Sequence, residues 1–280
     1  MYNKNKEISL EDQKIISLKG LSEFQKLCES SNYRFWLAYG SLIGAVRHKG
    51  FIPWDDDIDL WMPRNDYEKM LSDWSNKLIG DGWKLVSYKN SSEYLFPWTK
   101  LCFTPTIVWP SRFNNGFIYG CSIDIFPLDI IHSNSIEEAD SKLKQINLEY
   151  KKQLRRIRPY TGGYKGIDSF WKKQIKKAYF NLASLVFGSV RSIIEKYDDM
   201  CKFNNTSCNK SFFSTSPCAS IPWVFEVDDF NSTIELEFES KLYPVPSGYD
   251  RILRRIYGDY LKLPPEDQRV SDHSYTAFYK

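Results

Sequence analysis

The chain has 280 residues, of which 42% are hydrophobic, 16% aromatic and 26% charged. That much apolar and aromatic mass excludes an intrinsically disordered or collagen-like chain, and the length suits one large domain or two small ones. A net charge of +3 is too small to predict nucleic-acid binding.

In chain order, residues 1–10 are polar and lack the apolar stretch of a secretion signal. They predict a soluble protein of the cytoplasm. Leu18, Leu21, Phe24 and Leu27 fall at three-residue steps and predict one buried face of a first helix. Residues 35–39 read as a short strand that meets a turn at Gly40-Ser41, and residues 42–47 as the first turns of a helix. After a loop with Gly50 and Pro53, residues 57–62 alternate with period two, and residues 67–78 return to helix. Strands are expected at 85–88, 98–103 and 116–126. Helices follow at 135–158 and 168–197, then a mixed stretch at 212–246 with a strand at 233–238, then a last helix at 249–257 stopped by Gly258. The pattern predicts an α+β fold: a mixed sheet with flanking helices and a helical C-terminal part. It divides into a catalytic core at 1–134, a basic helical region at 135–232 and a C-terminal segment at 233–280 that packs on the core.

The chemistry concentrates in Pro53-Trp-Asp-Asp-Asp-Ile-Asp59. Four acids in five residues repel one another, and a strand is poor company for Asp. On a strand, side chains two apart share a face, so Asp57 and Asp59 point together while Ile58, Leu60 and Met62 pack behind. Such carboxylates raise one another's pKa unless a cation neutralises them, and a hard oxygen-seeking ion, Mg²⁺ or Mn²⁺, is the natural one. Asp124, between Ile123 and Ile125, is an expensive burial without a partner and supplies the third acid. Asp129, past Pro127, reads as a turn or cap residue. Gly40 allows close approach of a ligand, and Ser41 at a helix start offers a phosphate contact. Arg47, Lys49 and Lys100 are candidate anion-binding cations, and His48 and His273 candidate supporting groups. Trp54, Trp61 and Trp98 are candidate walls for a quaternary ammonium, core packing being the alternative.

A strand, Gly-Ser, Asp-x-Asp and a lone Asp, in that order, resemble the nucleotidyltransferase fold. The block Tyr39-Gly-Ser-Leu-Ile-Gly-Ala-Val-Arg-His-Lys-Gly-Phe-Ile-Pro-Trp-Asp-Asp-Asp-Ile-Asp59 further resembles the LicD family, relatives of fukutin. Residues 96–100, 123–129, 243–250 and 257–266 add to the likeness, which spans about residues 18 to 280. It departs at Asp272, where a His-His pair is expected. The resemblance implies transfer of a phospho-alcohol, typically phosphocholine, from a CDP-activated donor such as CDP-choline to a sugar hydroxyl, releasing CMP. Ribitol and glycerol are the other alcohols it allows. It implies Asp57 and Asp59 as ligands of the metal on the donor diphosphate, with Asp124 completing the site and drawing the acceptor's proton. A glycan precursor, lipid-linked at the cytoplasmic face of a bacterial membrane, is the implied acceptor.

Residues 141–177 carry twelve Lys or Arg against Glu149 and Asp168, a local balance of +10. That predicts an anionic partner, with anionic lipid the reading that suits a peripheral protein. Residues 178–190 are too short and too interrupted to span a bilayer. Cys201, Cys208 and Cys218 have no standard zinc spacing and read as ordinary thiols.

Overall fold

The computed structural model describes residues 7–91, 94, 96–110, 119–157, 170–202, 210–215, 223–269 and 275–280. Strand β1 (Glu7–Ile8) leads into helix α1 (Leu10–Ser31). Ser9 caps α1 by accepting from the Asp12 N–H at 3.1 Å, and Asn32 ends it in the left-handed conformation at φ 55°. Ile16, Leu21, Phe24 and Leu27 bury one face of α1. Gly20 lies on the same face, where a Cβ would stand 2.6 Å from the Trp83 ring.

Strand β2 (Trp36–Leu37), helix α2 (Tyr39–His48), strand β3 (Asp59–Pro63) and helix α3 (Arg64–Trp74) follow. Next come β4 (Leu78–Ile79), β5 (Trp83–Val86), β6 (Thr99–Phe103), β7 (Thr106–Pro110) and β8 (Ser122–Ser133). The helices α4 (Ile136–Ile157), α5 (Phe170–Phe187) and α6 (Val190–Lys202) lie between β8 and β9 (Lys210–Thr215). The chain ends with β10 (Val224–Glu226), the hairpin of β11 (Thr233–Phe238) and β12 (Lys241–Pro246), α7 (Tyr249–Tyr257) and β13 (Tyr275–Tyr279).

The main sheet has eight strands and is mixed: β3 runs parallel to β8, while β2, β6 and β9 pair antiparallel with their neighbours. This is the α+β architecture expected. β3 pairs along both edges, with β2 and with β8, and core residues cover both of its faces. Ile58, Leu60 and Met62 pack on one side and Trp61 on the other, all fully buried. Strands β9 and β10, from the segment 135–232, extend the sheet begun by residues 1–134. Beneath them a second apolar cluster joins α4 and α6 to Tyr88, Ile131 and Phe212.

The helix expected at 168–197 is two helices, α5 and α6, parted at Gly188, and two further local expectations change. The third helix covers residues 64–74 rather than 67–78, and Leu78 pairs in β4. The second change is that β8 runs straight through Pro127. The antiparallel partners β6 and β9 meet β8 only at Ser122–Ile125 and Leu128–Ser133. Neither therefore asks Pro127 for the ladder hydrogen bond that proline cannot donate. Asp129, read from the sequence as a turn or cap, is a buried strand residue. Arg64 grips it in fork fashion, Nε to Oδ1 at 2.6 Å and Nη2 to Oδ2 at 2.7 Å, and also reaches Asp198 on α6 at 3.0 Å. This network locks α3, β8 and α6 together.

Candidate active site

Beside the edge where β3 and β8 begin, a cleft of about 1410 Å³ opens. Asp57, Asp59 and Asp124 line it, as do Asp55 and Gly40. Parallel pairing puts Asp59 directly beside Asp124. Asp57 falls before β3 rather than on it, so the expected shared strand face is replaced by a loop carboxylate at the mouth of the strand. Ligand oxygens of Asp55, Asp56 and Asp57 come within 4.8 Å of one another.

The pKa of Asp59 lies well above the usual carboxylate range, because burial disfavours its charge and the carboxylates of Asp57, Asp124 and Asp55 repel it. Lys100 opposes that rise only in part. Lys100 stands opposite Asp124 across the β6–β8 pair and makes an ion pair with its Oδ1. The Trp98 indole N–H donates to Asp124 Oδ2 at 2.9 Å. Burial lowers the pKa of Lys100, but the adjacent Asp124 carboxylate outweighs it, so the ammonium is held charged. One lysine against four carboxylates leaves the floor strongly anionic. Closely spaced carboxylate oxygens with excess negative charge fit a hard divalent cation.

Ser41 is buried, and its Oγ accepts the Asp59 backbone N–H at 3.0 Å. This bond ties the first turn of α2 to the strand that carries Asp59. Gly40 fits because a Cβ there would stand 2.5 Å from Asp55 Oδ2. Its neighbour Tyr39 has a φ of 43°, costly for a bulky residue. Ring contacts to Trp61 and Phe126 hold it, with a 2.6 Å hydrogen bond between its hydroxyl and Thr215 Oγ1.

The facing wall comes from α7 and the chain beyond it. Arg47 donates from Nη1 to the Tyr260 carbonyl at 2.9 Å and from Nε to His48 Nε2 at 2.8 Å. Burial lowers its pKa, and so does the nearby Arg269 guanidinium. Arg269 also lines the cleft; it donates to the Pro264 carbonyl at 2.9 Å and lies 5.7 Å over the Trp54 ring. The cleft thus has a carboxylate floor and a wall with two guanidiniums.

Of the other sequence-predicted residues, Trp54 and Trp98 line the cleft. The face of Trp54 is taken by Arg269, and Trp98 serves Asp124. Trp61 is core, packed against Tyr39 and Phe225. Lys49 points away from the floor, to Glu237 on β11 at 3.3 Å. His48 supports Arg47. His273, with Asp272, and likewise Cys208 and Cys218, lie outside the described residues; Cys201 is a buried free thiol. Sequence reasoning missed Arg269, Tyr260 and Asp55 as parts of the site. For Arg269 the one hint is its place three residues past the block 257–266.

Three similarities with known proteins accord with this geometry. Residues 32–154 match the LicD/FKTN/FKRP nucleotidyltransferase domain. Over 280 residues, 98% of this chain and 99% of the relative, the chain is 27% identical to the lipopolysaccharide cholinephosphotransferase LicD of Haemophilus influenzae. A 32-residue stretch is 56% identical to the ribitol 5-phosphate transferase FKRP of human and of mouse, covering 11% of this chain and 6% of each relative. Residues 32–154 thus match the nucleotidyltransferase domain of the LicD family, and over nearly its whole length the chain resembles a LicD-type transferase.

Proposed function

We propose that the protein transfers a phospho-alcohol, phosphocholine foremost, from a CDP-activated donor to a hydroxyl of a glycan precursor, releasing CMP. The observation that carries this reading is the pairing of a carboxylate floor, with the proton affinity of Asp59 raised, and a facing wall holding Arg47 and Arg269. Such a cleft suits a diphosphate that needs cations on both sides. The relatives named for cholinephosphate and ribitol phosphate transfer support the substrate class.

Asp57, Asp59 and Asp124 are the residues that would hold Mg²⁺ or Mn²⁺, with Asp55 beside them. Such an ion would neutralise the donor phosphates and polarise the phosphorus that is attacked. The rest falls to the chain's own residues. Ser41 and the first turn of α2 fix the position of Asp59. Arg47 and Arg269 hold the CMP phosphate as charge builds on it. Lys100 and the Trp98 N–H occupy the two carboxylate oxygens of Asp124. With both Asp124 oxygens taken, Asp59 in its ionised form is the carboxylate assigned to accept the proton of the attacking hydroxyl. The attacking oxygen bonds to the phosphorus, the bond to the CMP oxygen breaks, and the proton leaves on Asp59. A lipid-linked acceptor would bring the site to the cytoplasmic face of a membrane, with residues 141–177 toward the lipid.

The test is CMP release from CDP-choline, CDP-glycerol and CDP-ribitol with Mg²⁺ or Mn²⁺, with EDTA as control and a bacterial glycolipid extract as acceptor source. Metal-dependent CMP from one of the three identifies the alcohol. Pyrophosphate release from a nucleoside triphosphate, with no CMP from any donor, would replace this reading with nucleotidyl transfer.

A further inference from the structure

Helix α5 presents Trp171, Ile175, Tyr179, Leu182, Leu185 and Val186 with 62–82% of their surface exposed. Their steps of three, four and seven residues place them on one face of the helix. Seven of the nineteen large apolar side chains that are exposed among the described residues lie on this helix. Its other side rests on α4, where Ala183 is buried and the Arg156 guanidinium lies 5.4 Å over the Phe187 ring. Contiguous apolar surface of this kind on a soluble domain marks an interaction site.

The composition of the helix says what covers it. Its 18 residues include Lys172, Lys173, Lys176 and Lys177 and no acid, and α4 ends in Arg155 and Arg156. A second copy of the chain would bring the same four lysines in its own α5 and no acid there to offset them. An anionic bilayer offers what the helix lacks on both counts, an apolar interior below a negative surface. Trp171 and Tyr179 are the side chains that favour the boundary between the two. Among the described residues no helix is long and apolar enough to cross a membrane, so the geometry is that of a helix lying in the surface.

We infer that α5 inserts this apolar face into an anionic membrane, which changes the expected contact from an electrostatic one to a largely hydrophobic one. Binding is read without turnover, so it holds or fails independently of the phosphotransfer reading. The experiment is co-sedimentation of the full chain with vesicles of phosphatidylglycerol and phosphatidylcholine, and of phosphatidylcholine alone. Binding to the anionic vesicles should persist at about 1 M salt, where the Debye length is only about 3 Å. The double variant Leu182→Asp, Leu185→Asp should bind at least about tenfold more weakly while melting as the parent does. Brominated lipid should quench tryptophan emission less in Trp171→Phe than in the parent. No vesicle binding, binding that salt abolishes, or binding that the double variant leaves intact would each overturn the inference. Self-association lost in the double variant, with no vesicle binding, would overturn it in favour of an interface between copies.

Discussion

Asp59 on β3 and Asp124 on β8 are register partners in a parallel pair of strands, and both face the cleft. Each is steadied by a different device. Asp59 is placed by the bond from its backbone N–H to Ser41, and Asp124 is neutralised from behind by Lys100. The fold therefore holds two carboxylates side by side at a cost in stability, and that cost can be measured.

Asp59→Asn should raise the thermal midpoint of the metal-free protein, because the amide is neutral without needing the proton that burial and three neighbouring carboxylates impose on Asp59. Turnover should fall about a hundredfold or more. Differential scanning fluorimetry beside a CMP-release assay reads both. A lower midpoint with turnover kept would make Asp59 structural.

Lys100→Met takes the ammonium from Asp124 Oδ1 and leaves the Trp98 N–H on Oδ2. Loss of a charge-assisted bond of about 1.5–3 kcal/mol predicts about a tenfold to hundredfold fall in kcat. Steady-state kinetics checks the split. If only KM for the donor rises, Lys100 touches substrate rather than serving Asp124.

The Arg47–His48 bond needs a neutral imidazole to accept from Nε. Burial, and then the Arg47 charge, lower the pKa of His48. A histidine depressed in this way contributes stability that is fully present above its unfolded value of about 6.5 and is lost as pH falls through that value and toward the folded one. Once protonated, the ring can no longer accept and repels Arg47. KM for the donor should therefore rise as pH falls through the depressed folded value, which lies below about 6.5. His48→Gln keeps an acceptor without the titration and should flatten this acid limb in a KM-versus-pH series. An unchanged limb would detach His48 from Arg47.

Arg64→Met strands the buried Asp129 and leaves Asp198 with Lys202 and Tyr88 alone, and should cost about 3–5 kcal/mol in urea unfolding. Arg64→Lys should recover only part, since an ammonium cannot reproduce the two parallel bonds to Asp129. A loss below about 1 kcal/mol would show the network to be a solvated one.

The sequence by itself determined the helices and strands with strong period, and it determined the acids. Ile58, Leu60 and Met62 alternate because a strand turns successive side chains to opposite faces, and an Asp between Ile123 and Ile125 has no apolar use. Such facts are local, carried by neighbours in the chain. Only the tertiary structure decided which groups meet those acids. Asp124 finds Lys100 across a strand pair, Arg47 finds the Tyr260 carbonyl far along the chain, and Arg269 reaches the same cleft. Lys49, two residues from Arg47, turns instead to Glu237. The side chains of Arg and Lys announce a charge but not a direction. Where each one points is fixed by how the sheet and α7 pack, through contacts between residues that local periodicity does not relate.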